Sequence, residues 1–211
     1  MPEAPRHTRP PLRRVDLAAD PVEQFARWYE LAEREVPLAS AVTLATAAED
    51  GAPDARMVLL KGFGPEGFRF FTNYGSAKAS QLERRPRAAM VAYWRELDRQ
   101  VRVRGTVERL PAEDSDAYFE SRPRDSQLGA WAWPQGRPIP GRDGLEASLE
   151  EVERRFADAD RLPRPDGWGG YLLRHEEVEF WQGQQARLHD RFLYRREGDA
   201  GERWLIERLA P

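Results

Sequence analysis

Val22, Phe25, Trp28, Tyr29 and Ala32 recur at three- and four-residue intervals, a spacing that predicts an amphipathic helix. Asp20, Pro21 and Glu23 supply its start signal. From Ser40 the period changes to two. SAVTLATAA, ARMVLLKGF and FRFFTNY predict three strands of a meander, separated by turns at Glu49-Asp50-Gly51 and Gly64-Pro65-Glu66-Gly67. A short helix from Ser76 to about Arg84 precedes two further strands, RAAMVAYW and RQVRVRGTVERL, joined at Glu96-Leu97-Asp98. A helix from Ala112 to about Ser121 comes next. Residues 122–142 carry four prolines and the apolar group Leu128-Gly129-Ala130-Trp131, a composition that predicts an irregular segment lining a site. A charge-laced helix from Leu145 to about Ala157 leads into a second β block: GGYLLR, EVEFWQG, RLHDRFLYRRE and RWLIERL, the last two joined through residues 198–201.

Two blocks of antiparallel hairpins separated by helices describe a mainly β protein, a barrel or strongly curled sheet with peripheral helices. Residues 20–211 read as one domain. The polar, Pro- and Arg-rich residues 1–19 read as an arm, mobile until something orders it. The chain has 211 residues, 40% of them hydrophobic, with seven tryptophans, which is enough to bury a substantial core. A net charge of −3, with both signs interleaved, argues against binding nucleic acid through bulk electrostatics. The absence of cysteine excludes disulfides, thiolate metal sites and a cysteine nucleophile. No apolar run resembles a signal peptide or a membrane span, so a cytoplasmic protein with no membrane partner is expected. No GxxxxGK[ST] occurs, and nothing in the pattern requires a parallel nucleotide-binding sheet.

Charge chemistry narrows the view. Of 33 basic residues only Lys61 and Lys78 are lysine, and both fall within one stretch beginning at Arg56. A lysine kept in an arginine-biased chain suggests a need for a compact ammonium; chance survival on a wet surface is the alternative. Lys61, Tyr118, Arg122 and Ser126 form the donor set a phosphate monoester requires: an ammonium, a guanidinium fork and neutral hydroxyls. Tyr118 and Arg122, four apart, share a helix face, with Ser126 just beyond the helix end; a surface stacking pair would have the same spacing. In Arg187-Leu188-His189-Asp190-Arg191, strand alternation would project Arg187, His189 and Arg191 together, with Leu188 packed behind. Such a face could line an anion pocket, with His189 pushed toward neutrality, or simply stay solvated. His7 and His175 read as surface residues. Trp181-Gln182-Gly183, Gln100 and Gln135, with Thr72 and Ser76, could read the edge of a planar polar ring.

RMVLLK, FFTNYGSAK, RQVRVRG, YFESRPRDSQLGAW, WGGY, EFWQG, RLHDR and the closing RLAP occur in the order found in the pyridoxamine 5′-phosphate oxidases, and from about Asp20 to Pro211 the chain resembles that family. The resemblance implies an FMN-binding split β-barrel, assembled as a homodimer with FMN at the subunit interface. It assigns FMN contacts to Arg56, Met57, Val58, Leu59, Leu60, Lys61, Phe71, Thr72, Lys78, Gln100, Gln135, Gly136, Trp181 and Arg191, with Arg56 and Lys78 toward the cofactor phosphate. Substrate contacts fall on Lys61, Tyr118, Arg122, Ser126, Arg187, Leu188 and His189, and Arg187 and His189 are the catalytic pair beside the reacting carbon. The implied reaction oxidises pyridoxine or pyridoxamine 5′-phosphate to pyridoxal 5′-phosphate with O2, releasing hydrogen peroxide, and ammonia from the amine. A dihydrophenazine oxidase of the same fold and a non-catalytic FMN- or pyridoxal-phosphate-binding module are the alternatives.

The chain also departs from the family pattern. Ser76-Ala77-Lys78 stands where many members read Ser-Arg-Lys, so one phosphate arginine is missing. Gly136 replaces a serine, and the RHTR of residues 6–9 offers no counterpart to the family's lid residues. Arg56 and Lys61 have opposite strand parity; a bulge, or contacts made through backbone, would be needed to bring both to one site.

Overall fold

The computed structural model describes residues 9–133, 135–139, 141–197 and 203–211. Helix α1 (Pro21–Glu35) starts where the Asp20 carboxylate accepts hydrogen bonds from the backbone N–H groups of Val22 (2.7 Å) and Glu23 (3.1 Å). Such a cap contributes about 1 kcal/mol. The helix buries Phe25, Trp28 and Ala32. Phe25 meets Phe63 and Phe68 at ring separations of 4.8 and 5.0 Å, and Trp28 meets Phe180 edge-on at 5.2 Å, so α1 closes one side of the sheet.

The strands are β1 (Ala41–Ala47), β2 (Pro53–Leu59), β3 (Gly62–Gly64), β4 (Gly67–Asn73), β5 (Arg87–Trp94), β6 (Arg99–Arg109), β7 (Trp168–Gln182), β8 (Asp190–Glu197) and β9 (Arg203–Leu209). They form one antiparallel sheet in the order β2-β1-β5-β6-β7-β4-β3, with β8 pairing β7 and β9. The sheet curls until β2 and β4, far apart in this order, touch without pairing, which leaves an open seam. Alternation fills the interior with Val42 and Leu44, Phe68 and Phe70, Met90 and Ala92, and Val101 and Val103.

GGYLLR and EVEFWQG, expected as separate strands, are halves of the 15-residue β7. Its first half pairs with β4 and its second with β8, while β6 runs along the other edge. A register shift between Arg104 and Gly105 accommodates the handover. Gly105 is required there, because a Cβ would lie 1.8 Å from the Arg174 carbonyl oxygen. His175 sits at the same point and corrects its assignment to the surface: it is 3% exposed, stacked on Trp204 at 5.4 Å. Burial, then the nearby Arg196, push its pKa down to about 4.

Residues 122–142 also differ from expectation, because α4 (Arg124–Ala132) occupies the first half of the supposed loop. Pro123 precedes the helix, Asp125 lies in its first turn, and Leu128 and Ala132, four apart, face one apolar cluster. That cluster joins α3 (Ala112–Glu120), α4 and α5 (Arg142–Arg155) through Phe119, Val152, Phe156 and Trp168. Of the arm assigned to residues 1–19, the first eight, His7 among them, lie outside the described residues, as does the 198–201 turn. Leu12, Leu17 and Ala18 are buried, so from about residue 10 the chain belongs to the packed body. Among the described residues no helix is long and apolar enough to cross a membrane.

Candidate active site

A cavity of about 950 Å³ lies at the seam between β2 and β4, roofed by residues of α2 (Ala77–Arg84), α3 and α4. Small-molecule sites span roughly 300–1,000 Å³, so this one is large. Arg56 and Lys61 both line it, although ARMVLLKGF was read as one strand on which they would diverge. The strand ends at Leu59, Leu60 turns inward (4% exposed), and the Lys61 backbone N–H donates to the Arg69 carbonyl (2.9 Å) before β3 begins. Strand termination, rather than a bulge, brings the two cations to one cavity.

One end of the cavity has an aromatic wall. The Tyr118 ring stacks on Phe71 at 4.0 Å, and Phe71 stacks on Trp168 at 5.5 Å. The Arg122 guanidinium lies over the Trp168 ring at 4.7 Å, and Lys61 Nζ is 6.0 Å from the Tyr118 ring centre. Arg122 follows the Ser121 cap of α3, and Ser126 lies in the first turn of α4 instead of in a loop. The corner between these helices is held by Gln127, whose Nε2 reaches the carbonyls of Phe119, Glu120 and Arg122 (3.1, 3.1 and 2.9 Å). Arg122 NH1 is buried with no partner among the described residues, and burial lowers the pKa of this guanidinium. A desolvated cation without a counter-charge is costly, and an anion in the cavity would relieve that cost.

Toward α2 the chemistry is again cationic. Lys78 is 9% exposed, and its Nζ donates to Thr72 Oγ1 (3.1 Å) and Gln135 Oε1 (2.9 Å). Burial lowers its pKa first, Arg56 lowers it further, and Asp54 opposes both. Lys78, Arg56 and Thr72 therefore form a donor set suited to a second phosphate, which is what an FMN phosphate requires. Met57, Val58 and Leu59 complete this wall. Leu60 does not line the cavity, nor does Gly136, whose φ is +81°.

Gln100, Trp181, Arg187, Leu188, His189 and Arg191 stand apart from this cavity. Gln100, Trp181 and Arg191 pair directly across β6, β7 and β8 and so share one sheet face. The alternation read from RLHDR does not hold. Residues Gln185–Arg187 form a short helical turn in which Ala186 and Arg187 have φ of 53° and 60°, and β8 starts only at Asp190. Leu188, expected to pack behind, is 69% exposed. His189 lies 4.7 Å from the Trp181 ring, and its Nδ1 accepts the Gln184 backbone N–H (3.1 Å), so the neutral ring carries its proton on Nε2. Asp190 braces this turn by accepting from the Leu12 backbone N–H (2.8 Å), Gln184 Nε2 (3.1 Å) and Arg208 NH1 (2.8 Å). Sequence reasoning missed Asp190, which acts through the distant Leu12 and Arg208, Gln127, whose backbone partners five to eight residues away meet it only because the chain turns between α3 and α4, and Trp168, whose WGGY context was the available signal.

A half-open antiparallel barrel with a phosphate-suited cavity at its seam defines the class: the split barrels that bind flavin mononucleotide. The curated relatives and solved structures make the assignment specific. Residues 30–156 match the family model described as pyridoxamine 5′-phosphate oxidase, and residues 168–211 match the pyridoxine 5′-phosphate oxidase C-terminal dimerisation region. The chain is 53% identical to the pyridoxine/pyridoxamine 5′-phosphate oxidase of Salinibacter ruber, covering 97% of this chain and 95% of the relative. It is 51% identical to that of Rubrobacter xylanophilus, covering 100% of both chains. Among solved structures, PhzG from Burkholderia lata, in complex with tetrahydrophenazine-1-carboxylic acid, superposes with a TM-score of 0.86 at 29% identity, covering 95% of this chain and 98% of that one. An FMN-binding protein from Nostoc punctiforme shares the fold at TM-score 0.74 and 20% identity, covering 91% and 98%. The chain belongs to the pyridoxamine 5′-phosphate oxidase family, a family of flavoprotein oxidoreductases, and its C-terminal region is the one through which the family forms dimers.

Proposed function

We propose that the protein oxidises pyridoxine 5′-phosphate and pyridoxamine 5′-phosphate to pyridoxal 5′-phosphate with O2, using FMN, in the supply of vitamin B6 cofactor. The observation carrying this reading is the cavity's two separate cationic ends, one at Lys61 and Arg122 and the other at Arg56 and Lys78. Two phosphorylated rings, substrate and cofactor, fit such a site. The donor set at Lys78, Arg56 and Thr72 suits the FMN phosphate. Held there by Lys78, Arg56 and Thr72, FMN would supply the redox chemistry, acceptance of a hydride equivalent from the substrate C4′ carbon and its return to O2 as hydrogen peroxide.

The chain's own residues fix the geometry. Lys61, Arg122, Tyr118 and Ser126 anchor the substrate phosphate and set the register of its pyridine ring. The Phe71–Tyr118–Trp168 stack walls that end against water. Arg187 and His189 orient the C4′ substituent, and His189, whose Nδ1 is taken by the Gln184 N–H, exchanges a proton with the substrate hydroxyl or amine through Nε2. With the amine, water then hydrolyses the imine product and ammonia leaves.

These two residues belong to the second cluster, which we assign to the cavity of the other protomer. Strand register supports this arrangement. Met57, Leu59, Tyr93, Gln100, Trp181 and Arg191 all project from one sheet face, and the first three are exposed apolar residues. Met57 and Leu59 also rim the cavity. A two-fold pairing of this face with its copy brings the cluster of one protomer toward the cavity of its partner. The similarity to PhzG supports a second reading, oxidation of a reduced phenazine carboxylate, in which Arg122 would meet a carboxylate. Purified protein assayed for O2 uptake with pyridoxine 5′-phosphate, pyridoxamine 5′-phosphate and a reduced phenazine carboxylate separates the two. Aldehyde formation from the phosphates is the expected result, and turnover of the phenazine alone would overturn it.

A further inference from the structure

Arg56 enters the cavity already held by its own protein. Its NH1 donates to the Leu44 carbonyl (3.2 Å) and Thr46 Oγ1 (2.6 Å), and its NH2 donates to Gln81 Oε1 (3.2 Å) and pairs with the Asp54 carboxylate. The ring of contacts closes on itself. Gln81 Nε2 donates to Asp54 Oδ2 (3.1 Å), and the Thr46 hydroxyl donates to Gln81 Oε1. Gln81 lies one helical turn beyond Lys78 on α2, so the same side chain that fixes Arg56 also ties it to the helix carrying the second cation. Ala77, between Ser76 and Lys78, brings no charge to this end of the cavity.

We propose that Asp54 and Gln81 are positioning residues for the phosphate of the flavin, acting through Arg56: they hold its NH2 while Leu44 and Thr46 hold its NH1, which fixes the charged guanidinium at the cavity wall and leaves its Nε–H for the anion. The inference rests on the reading that places the FMN phosphate at Arg56 and Lys78. Its physical basis is preorganisation. A free arginine side chain must be ordered when the anion arrives, whereas one fixed by four acceptors is ordered beforehand. The Gln81 N–H, followed by the Arg56 guanidinium, keeps the Asp54 carboxyl below its usual range, so it is ionised at neutral pH.

An acid beside a phosphate site makes the test sharp, because charge alone and positioning predict opposite signs. If Asp54 acted only as a negative charge, Asp54→Asn would tighten FMN binding. As a positioning residue, its loss weakens FMN binding. Full-length protein stripped of flavin is titrated with FMN and with riboflavin, which lacks the phosphate, by quenching of flavin fluorescence. Asp54→Asn and Gln81→Leu are each expected to raise the Kd for FMN about tenfold and to leave riboflavin within twofold. In an Arg56→Met background, Asp54→Asn should add no further loss, since its action runs through Arg56. Tighter or unchanged FMN binding, an equal loss of riboflavin, or additivity with Arg56→Met would each overturn the proposal. Lys78→Met tests the underlying reading separately. If that variant still prefers FMN over riboflavin as the parent does, the phosphate does not sit here, whatever Asp54→Asn does.

Discussion

Arg122→Lys is the most direct probe of the substrate end, because it keeps the charge and removes the fork. A lysine presents one ammonium where the guanidinium presents parallel N–H groups, so one charge-assisted hydrogen bond to the phosphate is lost, worth about 1.5–3 kcal/mol. The contact of the guanidinium with the Trp168 ring, 4.7 Å from its centre, is lost as well. Such contacts contribute about 0.5–1 kcal/mol at partly exposed sites. Together these losses amount to about 2–4 kcal/mol, roughly a 30- to 1,000-fold fall in kcat/KM. The assay is pyridoxal 5′-phosphate formation from pyridoxine 5′-phosphate, with unphosphorylated pyridoxine as the control substrate. The parent should prefer the phosphorylated form strongly, and the variant should lose most of that preference while retaining bound FMN. An equal loss on both substrates, or a change below threefold, would refute a phosphate contact at Arg122.

His189→Ala should lower turnover by more than tenfold while FMN occupancy, read from the flavin absorbance of the purified protein, changes little; equal loss of both would make His189 part of the cofactor site instead. Gly105→Ala must move backbone, since its Cβ would lie 1.8 Å from the Arg174 oxygen. It should cost about 3 kcal/mol or more, lowering Tm by roughly 6–12 °C in a domain of this size; an unchanged Tm would show that the bulge is not tight. His175, with its pKa pushed down to about 4 by burial, stays neutral in the folded state while the unfolded chain binds a proton below about 6.5. Stability is therefore full above that pH and lost progressively as pH falls toward 4, by up to about 3 kcal/mol. His175→Phe, which keeps a ring against Trp204 but cannot charge, should flatten the dependence of the urea midpoint over that window; the same slope in both proteins would clear His175.

Period-two alternation was enough to read β1, β4, β5 and β6 because each has one face in the barrel, and α1 was read from its stripe for the matching reason. The misreadings share a cause: a local signal was given a local explanation. Arg174-His175-Glu176-Glu177 looks like a turn between two strands because its residues are polar. It is the stretch where β7 passes from β4 to β8, with His175 turned into the core. Prolines around residues 122–142 suggested a loop, yet Pro123 only precedes a helix whose Leu128 and Ala132 were already spaced for the apolar cluster they join. The site divides along the same line. Lys61 and Lys78 were legible together because one short stretch carries them, and Arg56 joined them through the family resemblance, whereas part of what holds Arg56 comes from Thr46 and Gln81, ten and twenty-five residues away. The Trp181–Arg191 cluster does not line the cavity, for a reason no periodicity within one chain contains. In the arrangement proposed above its face of the sheet is completed by a second copy, and only the relation between copies would give those residues a ligand to meet.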